Sequence, residues 1–206
     1  MDDIAISQSK SGMDSSQIYI VGIGASAGGL EALDHLFDSF PFDTCMAFVV
    51  IQHLAPDFKS VMDELLARHT SMRILRAENN MRVEKDTVYL IPPNKEMIIS
   101  SGRLLLTDRD PKEALNFPIN IFMRSLAEDL RDKSIGIVLS GTGSDGSRGI
   151  HAIHAAGGLV IAQDPKTSRF DGMPNSAIAT GIVDRVLEPT KMPGAILDYI
   201  DHHNDL

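Results

Sequence analysis

Apolar residues along this chain follow two alternating rhythms. Unbroken apolar runs at 18–24 (IYIVGIG) and 46–52 (MAFVVIQ) have the length of strands buried on both faces. After each run the spacing turns helical: Leu30, Leu33, Leu36, Phe37 and Phe40 across 28–40, then Val61, Met62, Leu65 and Leu66 across 57–69. The middle differs. Residues 87–91, 96–100 and 103–107 read as short strands, with Ser101-Gly102 as a hairpin turn, and Pro92-Pro93-Asn94 excludes a helix interior. Alternation then resumes with helix 117–132, strand 135–140, helix 145–156, strand 159–163, a short helix near 175–180, strand 182–186 and helix 191–200. This order predicts an α/β fold: a doubly wound, mostly parallel sheet with helices on both faces, a Rossmann-like three-layer αβα arrangement carrying a β-hairpin insertion.

Residues 1–17 (MDDIAISQSKSGMDSSQ) carry no such rhythm, so a disordered polar lead is expected there and one domain over 18–206. A length of 206 residues with 43% hydrophobic content suffices for a single packed core. The 19 Lys+Arg against 28 Asp+Glu leave a net charge of −9, which argues against nucleic acid and anionic membrane surfaces as partners. The single cysteine, Cys45, excludes an internal disulfide and a multi-Cys zinc site, and fits a reducing, cytoplasmic location. No apolar run approaches the roughly 18 residues of a membrane span.

In open α/β sheets ligands bind beyond the carboxyl ends of the strands, so reactive residues at strand exits carry the most weight. Ser26 follows the first strand in Gly24-Ala25-Ser26-Ala27-Gly28. This is the G-x-S-x-G pattern of a nucleophile elbow, whose small residues permit a steep turn and let backbone N–H groups reach a developing oxyanion. The same turn also suits a phosphate or dinucleotide cradle, with Ser26 as a helix cap. The dinucleotide alternative requires an acidic residue at the end of the second strand. Ile51-Gln52-His53 stands there instead, and no Gly-Lys-Ser/Thr completes a P-loop. His53 can therefore act as general base to Ser26, the alternative being a loop histidine bonded to backbone. Asp145, in Ser140-Gly141-Thr142-Gly143-Ser144-Asp145-Gly146, follows strand 135–140. It can orient His53 and stabilise its imidazolium, or cap the helix that follows.

Nucleophile, base and acid thus sit at three strand exits. Their order, Ser…His…Asp, differs from the Ser…Asp…His of α/β-hydrolases. The backbone N–H of Ala27 or Gly28, with that of Thr142 or Gly143, are candidate oxyanion donors. Met173 and Pro174, in Asp171-Gly172-Met173-Pro174, are candidate substrate contacts overhanging the same pocket, unless the segment is a plain turn. His151 and His154 lack Cys or carboxylate partners nearby in the sequence, so neither a metal nor a cofactor is expected.

The set GIGASAGGLEAL, VIQHLAP, YLIPPNKEM, IGIVLSGTGSDGSRGI, AGGLVIAQDP and DGMPNSAIATG, in order from about residue 19 to 187, closely resembles the catalytic domain of the chemotaxis receptor methylesterase family (protein-glutamate methylesterase, CheB). The resemblance implies a doubly wound sheet with a serine–histidine–aspartate triad, placed by the matching motifs on Ser26, His53 and Asp145. It implies hydrolysis of glutamate methyl esters on the cytoplasmic helices of chemoreceptors, often with deamidation of receptor glutamines. Three departures stand out. Ala27 replaces the threonine common in stand-alone enzymes, Gly141-Thr142-Gly143 replaces Gly-Met-Gly, and Glu113-Ala-Leu-Asn-Phe-Pro118 replaces an Asn-Arg-His-Arg-like stretch. Residues 1–17 are too few for the phospho-receiver domain that usually precedes this domain. These variants look most like the esterase-like modules of methylesterase–methyltransferase sensor fusions, which implies a fused or separate methyltransferase or regulatory domain as partner. Two other functions compete: a non-catalytic esterase-like binding or regulatory module, and a hydrolase of small esters or amides.

Overall fold

The computed structural model describes residues 18–41, 43–52, 62–109 and 117–204. The polar lead, His53 and the first part of the expected helix at 57–69 lie outside the described residues. Within them the chain runs β1 (Ile20–Ala25), α1 (Gly29–Asp38), β2 (Ala47–Gln52), α2 (Met62–Leu66), β3 (Arg73–Arg76), β4 (Met81–Arg82), β5 (Thr87–Leu90), β6 (Lys95–Ser100) and β7 (Arg103–Asp108). It continues through α3 (Pro118–Leu130), β8 (Ser134–Val138), α4 (Gly149–Ala155), β9 (Leu159–Gln163), α5 (Gly172–Ile178), β10 (Arg185–Leu187) and α6 (Met192–Asn204).

Seven strands pair in parallel in the order β10-β9-β8-β1-β2-β5-β3. A separate antiparallel sheet, β4-β7-β6, forms the insertion. The chain leaves β1 for β2 on one side and returns through β8 on the other. The carboxyl ends of β1 and β8 therefore flank the topological switch point, where a doubly wound sheet opens a crevice.

Alternate residues of β1 face opposite layers. Val21, Ile23 and Ala25 pack with Leu33, Leu36 and Phe37 of α1 and Met192 and Ile196 of α6. The other face receives Ile119, Phe122, Met123 and Leu126 of α3 and Ile150 and Ile153 of α4. Helix α3 lies directly on β1: a Cβ on Gly24 would meet Ile119 Cγ2 at 2.5 Å, and one on Gly22 would meet Leu126 Cδ2 at 3.0 Å. Gly24, which opens the elbow motif, is thus required by helix packing before any chemistry is considered, and Gly22 lets the same helix lie close.

Three expectations change. The strand at 87–91 joins the main sheet as β5, between β2 and β3, and is not part of the insertion. Strand β3, Arg-Ile-Leu-Arg, escaped the apolar pattern because it is a half-exposed edge strand with charged ends. The helix expected from 145 starts only at Gly149, after a turn held by Asp145 and Asn120. The Ser101-Gly102 hairpin turn is present, with φ of 51° and 69° at its two residues, as a type I′ turn requires. Among the described residues no helix is long and apolar enough to cross a membrane.

Candidate active site

Ser26 leaves β1 in a tight turn closed by a hydrogen bond from Gly29 N–H to Ser26 O (2.9 Å). Gly28 holds φ 72° and ψ 2°, the third-position geometry of a type II turn, where a side chain is disfavoured. Space forbids one as well: a Cβ on Gly28 would sit 2.8 Å from Ser140 Oγ and 2.9 Å from Arg169 Cβ. The two ends of a trans peptide point opposite ways. With the Ser26 carbonyl turned towards Gly29, the Ala27 N–H points away from α1, and it donates to no other described residue.

The β8 exit forms the facing wall. Ser26 N–H donates to Ser140 O (3.0 Å), and a Cβ on Gly141 would lie 2.9 Å from Ser26 Cβ and 2.2 Å from Met173 Sδ. Gly141 O accepts the Met173 N–H (2.9 Å), which turns the Thr142 N–H away from α5. Thr142 N–H likewise has no acceptor among the described residues. The Gly28 and Gly143 N–H groups, the other two candidate donors, also have no acceptor among the described residues. Gly143 N lies 3.1 Å from where a Gly172 Cβ would be, and the Ala27 carbonyl bonded to Ser140 sends the Gly28 N–H away from β8.

Asp145 is buried and accepts three backbone donors: Ile119 N–H on Oδ2 (3.0 Å), and Asn120 N–H (3.0 Å) and Gly146 N–H (2.9 Å) on Oδ1. It caps α3, not the helix that follows it. That helix, α4, is capped by Asn120, whose Oδ1 accepts from Gly146 (3.0 Å), Arg148 (3.0 Å) and Gly149 (2.7 Å). The structure therefore brings Ser26, Ala27, Gly28, Gly141 and Thr142 together at the switch point, with Asp145 anchored at the start of α3. His53, the expected base, lies outside the described residues, directly beyond the carboxyl end of β2 in the sequence.

The two candidate substrate contacts, Met173 and Pro174, are both buried in α5, Met173 completely, and Met173 packs behind Gly141. Phe170 is an exposed aromatic residue of that neighbourhood, with the Arg169 guanidinium 5.9 Å from its ring centroid. His154 does have a carboxylate neighbour, Asp184 at 3.9 Å, but no group of three His, Cys, Asp or Glu side chains able to hold a metal occurs among the described residues.

Residues without an assigned role in the sequence prove central. Ser140, buried behind the turn, bonds to both Ala27 and Phe170, and Gln163 at the end of β9 accepts the Ser140 N–H (2.8 Å) while donating to Thr167 O (3.1 Å). Each is a polar residue closing an apolar strand run, which is the signal that marks them in the sequence.

A parallel doubly wound sheet that presents a serine on a tight turn at its switch point, walled by glycines, defines the class of three-layer α/β protein. Comparison narrows the class to a family. The profile described as "CheB methylesterase" matches residues 21–196, and the chain belongs to that family. Among solved structures, the Thermotoga maritima CheB methylesterase catalytic domain superposes with a TM-score of 0.79 at 30% identity, covering 88% of this chain and 98% of that one. A protein-glutamate methylesterase/protein-glutamine glutaminase of Rhizobium meliloti is 34% identical over 82% of this chain and 48% of its own. A 104.1 kDa protein of Rhodobacter capsulatus, from the hypE 3′ region, is 48% identical over 68% of this chain and 14% of its own. The chain thus spans about half the length of the Rhizobium relative (48%) and far less of the Rhodobacter protein (14%).

Proposed function

We propose that this chain is a serine hydrolase that removes methyl groups from glutamate esters on the cytoplasmic helices of chemoreceptors, with glutamine deamidation as a second reaction at the same site. The observation that carries it is the pairing of Ser26, on its tight turn, with two backbone N–H groups, Ala27 and Thr142, that have no acceptor among the described residues. Ser26 Oγ attacks the ester carbonyl while His53 takes its proton, and the two N–H groups hold the oxyanion. His53 then returns the proton to departing methoxide, releasing methanol, and activates the water that frees the glutamate carboxylate. Asp145 orients His53. Such backbone donors are typically worth about 10²–10³ in rate each.

The family membership supports the substrate class, and the relatives named as methylesterase/glutaminase support the second reaction. We place the reaction in the cytoplasm, over one domain spanning 18–206. A methyltransferase or regulatory domain is the partner this reading implies, and the relative in which the matched module makes up 14% of a larger protein supports the presence of further domains beside such a module. The test is methanol release from methylated receptor fragments by wild type, Ser26→Ala and His53→Ala. Loss of release in both variants is the expected result; equal release by all three rejects the triad. Turnover of simple esters with indifference to methylated receptor helices rejects the receptor as substrate.

A further inference from the structure

Ser140 grips the candidate nucleophile from both sides. Its carbonyl accepts the N–H of Ser26 itself (3.0 Å), and its hydroxyl lies 2.9 Å from the carbonyl of the following residue, Ala27. The hydroxyl also accepts the Phe170 N–H (3.0 Å) and lies 3.2 Å from Phe170 O. A serine has one proton to donate. Ala27 O is the nearer of the two carbonyl acceptors, 2.9 Å against 3.2 Å, and Phe170 O also receives the Gly141 N–H at 2.9 Å, so the Ser140 proton is assigned to Ala27 O. Ser140 is almost fully buried, and its own N–H is fixed by Gln163 Oε1 (2.8 Å). The hydroxyl is therefore a rigid bolt between the β8 exit, the Phe170 segment and the central peptide of the Ser26 turn.

That central peptide, Ala27–Gly28, is the movable part of a type II turn. Its plane can rotate through half a turn to give the type I form while the flanking residues stay in place. Rotation would exchange the Gly28 N–H, itself a candidate oxyanion donor, for the Ala27 carbonyl oxygen on the side of the turn that faces away from β8. There a carbonyl dipole would oppose an oxyanion that N–H groups stabilise. We propose that Ser140 is a positioning residue for catalysis: its side-chain hydroxyl locks the Ala27–Gly28 peptide and so holds Ser26 and the oxyanion donors in reactive geometry. The proposal rests on the hydrolase reading above.

The experiment compares wild type, Ser140→Ala, Ser140→Cys, Ser140→Thr and Ser26→Ala in the full chain. It measures labelling by a serine-directed fluorophosphonate and kcat and KM for methanol release, with melting temperature and near-ultraviolet circular dichroism to establish folding. The Ala and Cys variants should label at least about ten-fold more slowly and lose kcat with KM nearly unchanged, since an interaction that positions the reacting groups acts on kcat. Thr, which keeps the hydroxyl, should label within about three-fold of wild type. Cysteine keeps the size and is a weak donor, so wild-type labelling in Ser140→Cys overturns the proposal even where Ser140→Ala fails to fold. Equal impairment of Thr and Ala also overturns it, because the hydroxyl would not then be the active element. Failure of the hydrolase reading looks different: wild type would be as inert to the fluorophosphonate as Ser26→Ala.

Discussion

Asn120 and Asp145 cap each other's helices. Asp145 accepts the first free N–H groups of α3, on which Asn120 lies, and Asn120 accepts those of the turn and helix that follow Asp145. Each side chain satisfies donors that would otherwise be buried and unpaired at a helix start. The exchange ties α3 to the β8–α4 loop, so the position of the candidate acid is set by a residue 25 positions away.

Asn120→Ala removes one oxygen that serves three N–H groups. A lost cap typically costs about 0.5–2 kcal/mol, and burial moves this site to the upper end or beyond. Urea unfolding should show a loss of about 2 kcal/mol. Activity should fall with it, because the loop carrying Asp145 and Thr142 loses one of its two tethers to α3, keeping only the bonds from the Ile119 and Asn120 N–H groups to Asp145.

Asp145→Asn separates capping from catalysis. The amide keeps one oxygen for α3, so the stability loss should be modest, about 1–2 kcal/mol. It cannot orient a histidine as a carboxylate does, and replacing the acid of such a triad typically costs about 10⁴ in kcat. A melt and a rate measured on one preparation check both parts. A rate near wild type would remove Asp145 from the chemistry and leave it a cap.

Gly141→Ala should be damaging for two separable reasons. The new methyl would sit 2.2 Å from Met173 Sδ and 2.9 Å from Ser26 Cβ. Overpacking of this kind typically costs about 1–3 kcal/mol. Shortening the neighbour, as in the double variant Gly141→Ala with Met173→Ala, relieves the sulfur contact and leaves the serine contact. The stability effects should therefore be non-additive, while methanol release stays low in both variants.

With His53 as general base, methanol release should rise as pH climbs through the ordinary histidine range, near about 6.5. The measurement is kcat/KM against pH. A flat profile from about pH 5 to 8 speaks against an imidazole base.

Alkaline stability should depend on Tyr199. Burial, with Tyr19, Asp132 and Asp184 nearby, pushes its phenol up from 10.0 to about 12. The hydroxyl lies 2.7 Å from Asp132 O and 2.8 Å from Gly157 O, two acceptors that share its single proton, which a phenolate lacks. The fold binds the protonated form more tightly, so its contribution is complete below pH 10 and is lost as pH rises through about 12. Tyr19 and Tyr89 are shifted upward too, chiefly by burial. Denaturant unfolding at rising alkaline pH should show this loss in wild type and a smaller one in Tyr199→Phe.

Much of the protein was legible in the sequence because its signals are local. A buried parallel strand shows as an unbroken apolar run, an amphipathic helix as a 3.6-residue period, and a steep turn as Gly-Ala-Ser-Ala-Gly. These identified β1, β2, β8 and β9 and the α/β class, and singled out the tight turn on which Ser26 sits. Strand β3 stayed hidden because an exposed edge strand has no apolar run to display, and its place beside β5 is a pairing across the sheet.

What only the tertiary structure decided depends on contacts between distant segments. Asp145 before Gly146 reads locally as the cap of its own helix, yet packing of α3 against α4 sends its carboxylate to α3 and hands α4 to Asn120. Met173 reads as a pocket residue, yet its sulfur fills the space behind Gly141. Ser140 reads as one more small residue in a glycine-rich loop, and becomes a bolt only where β1 and β8 lie side by side. Periodicity and turn chemistry are properties of neighbours in the chain. The direction in which a buried polar group finds its partner is a property of neighbours in space, and the folded core alone supplies those.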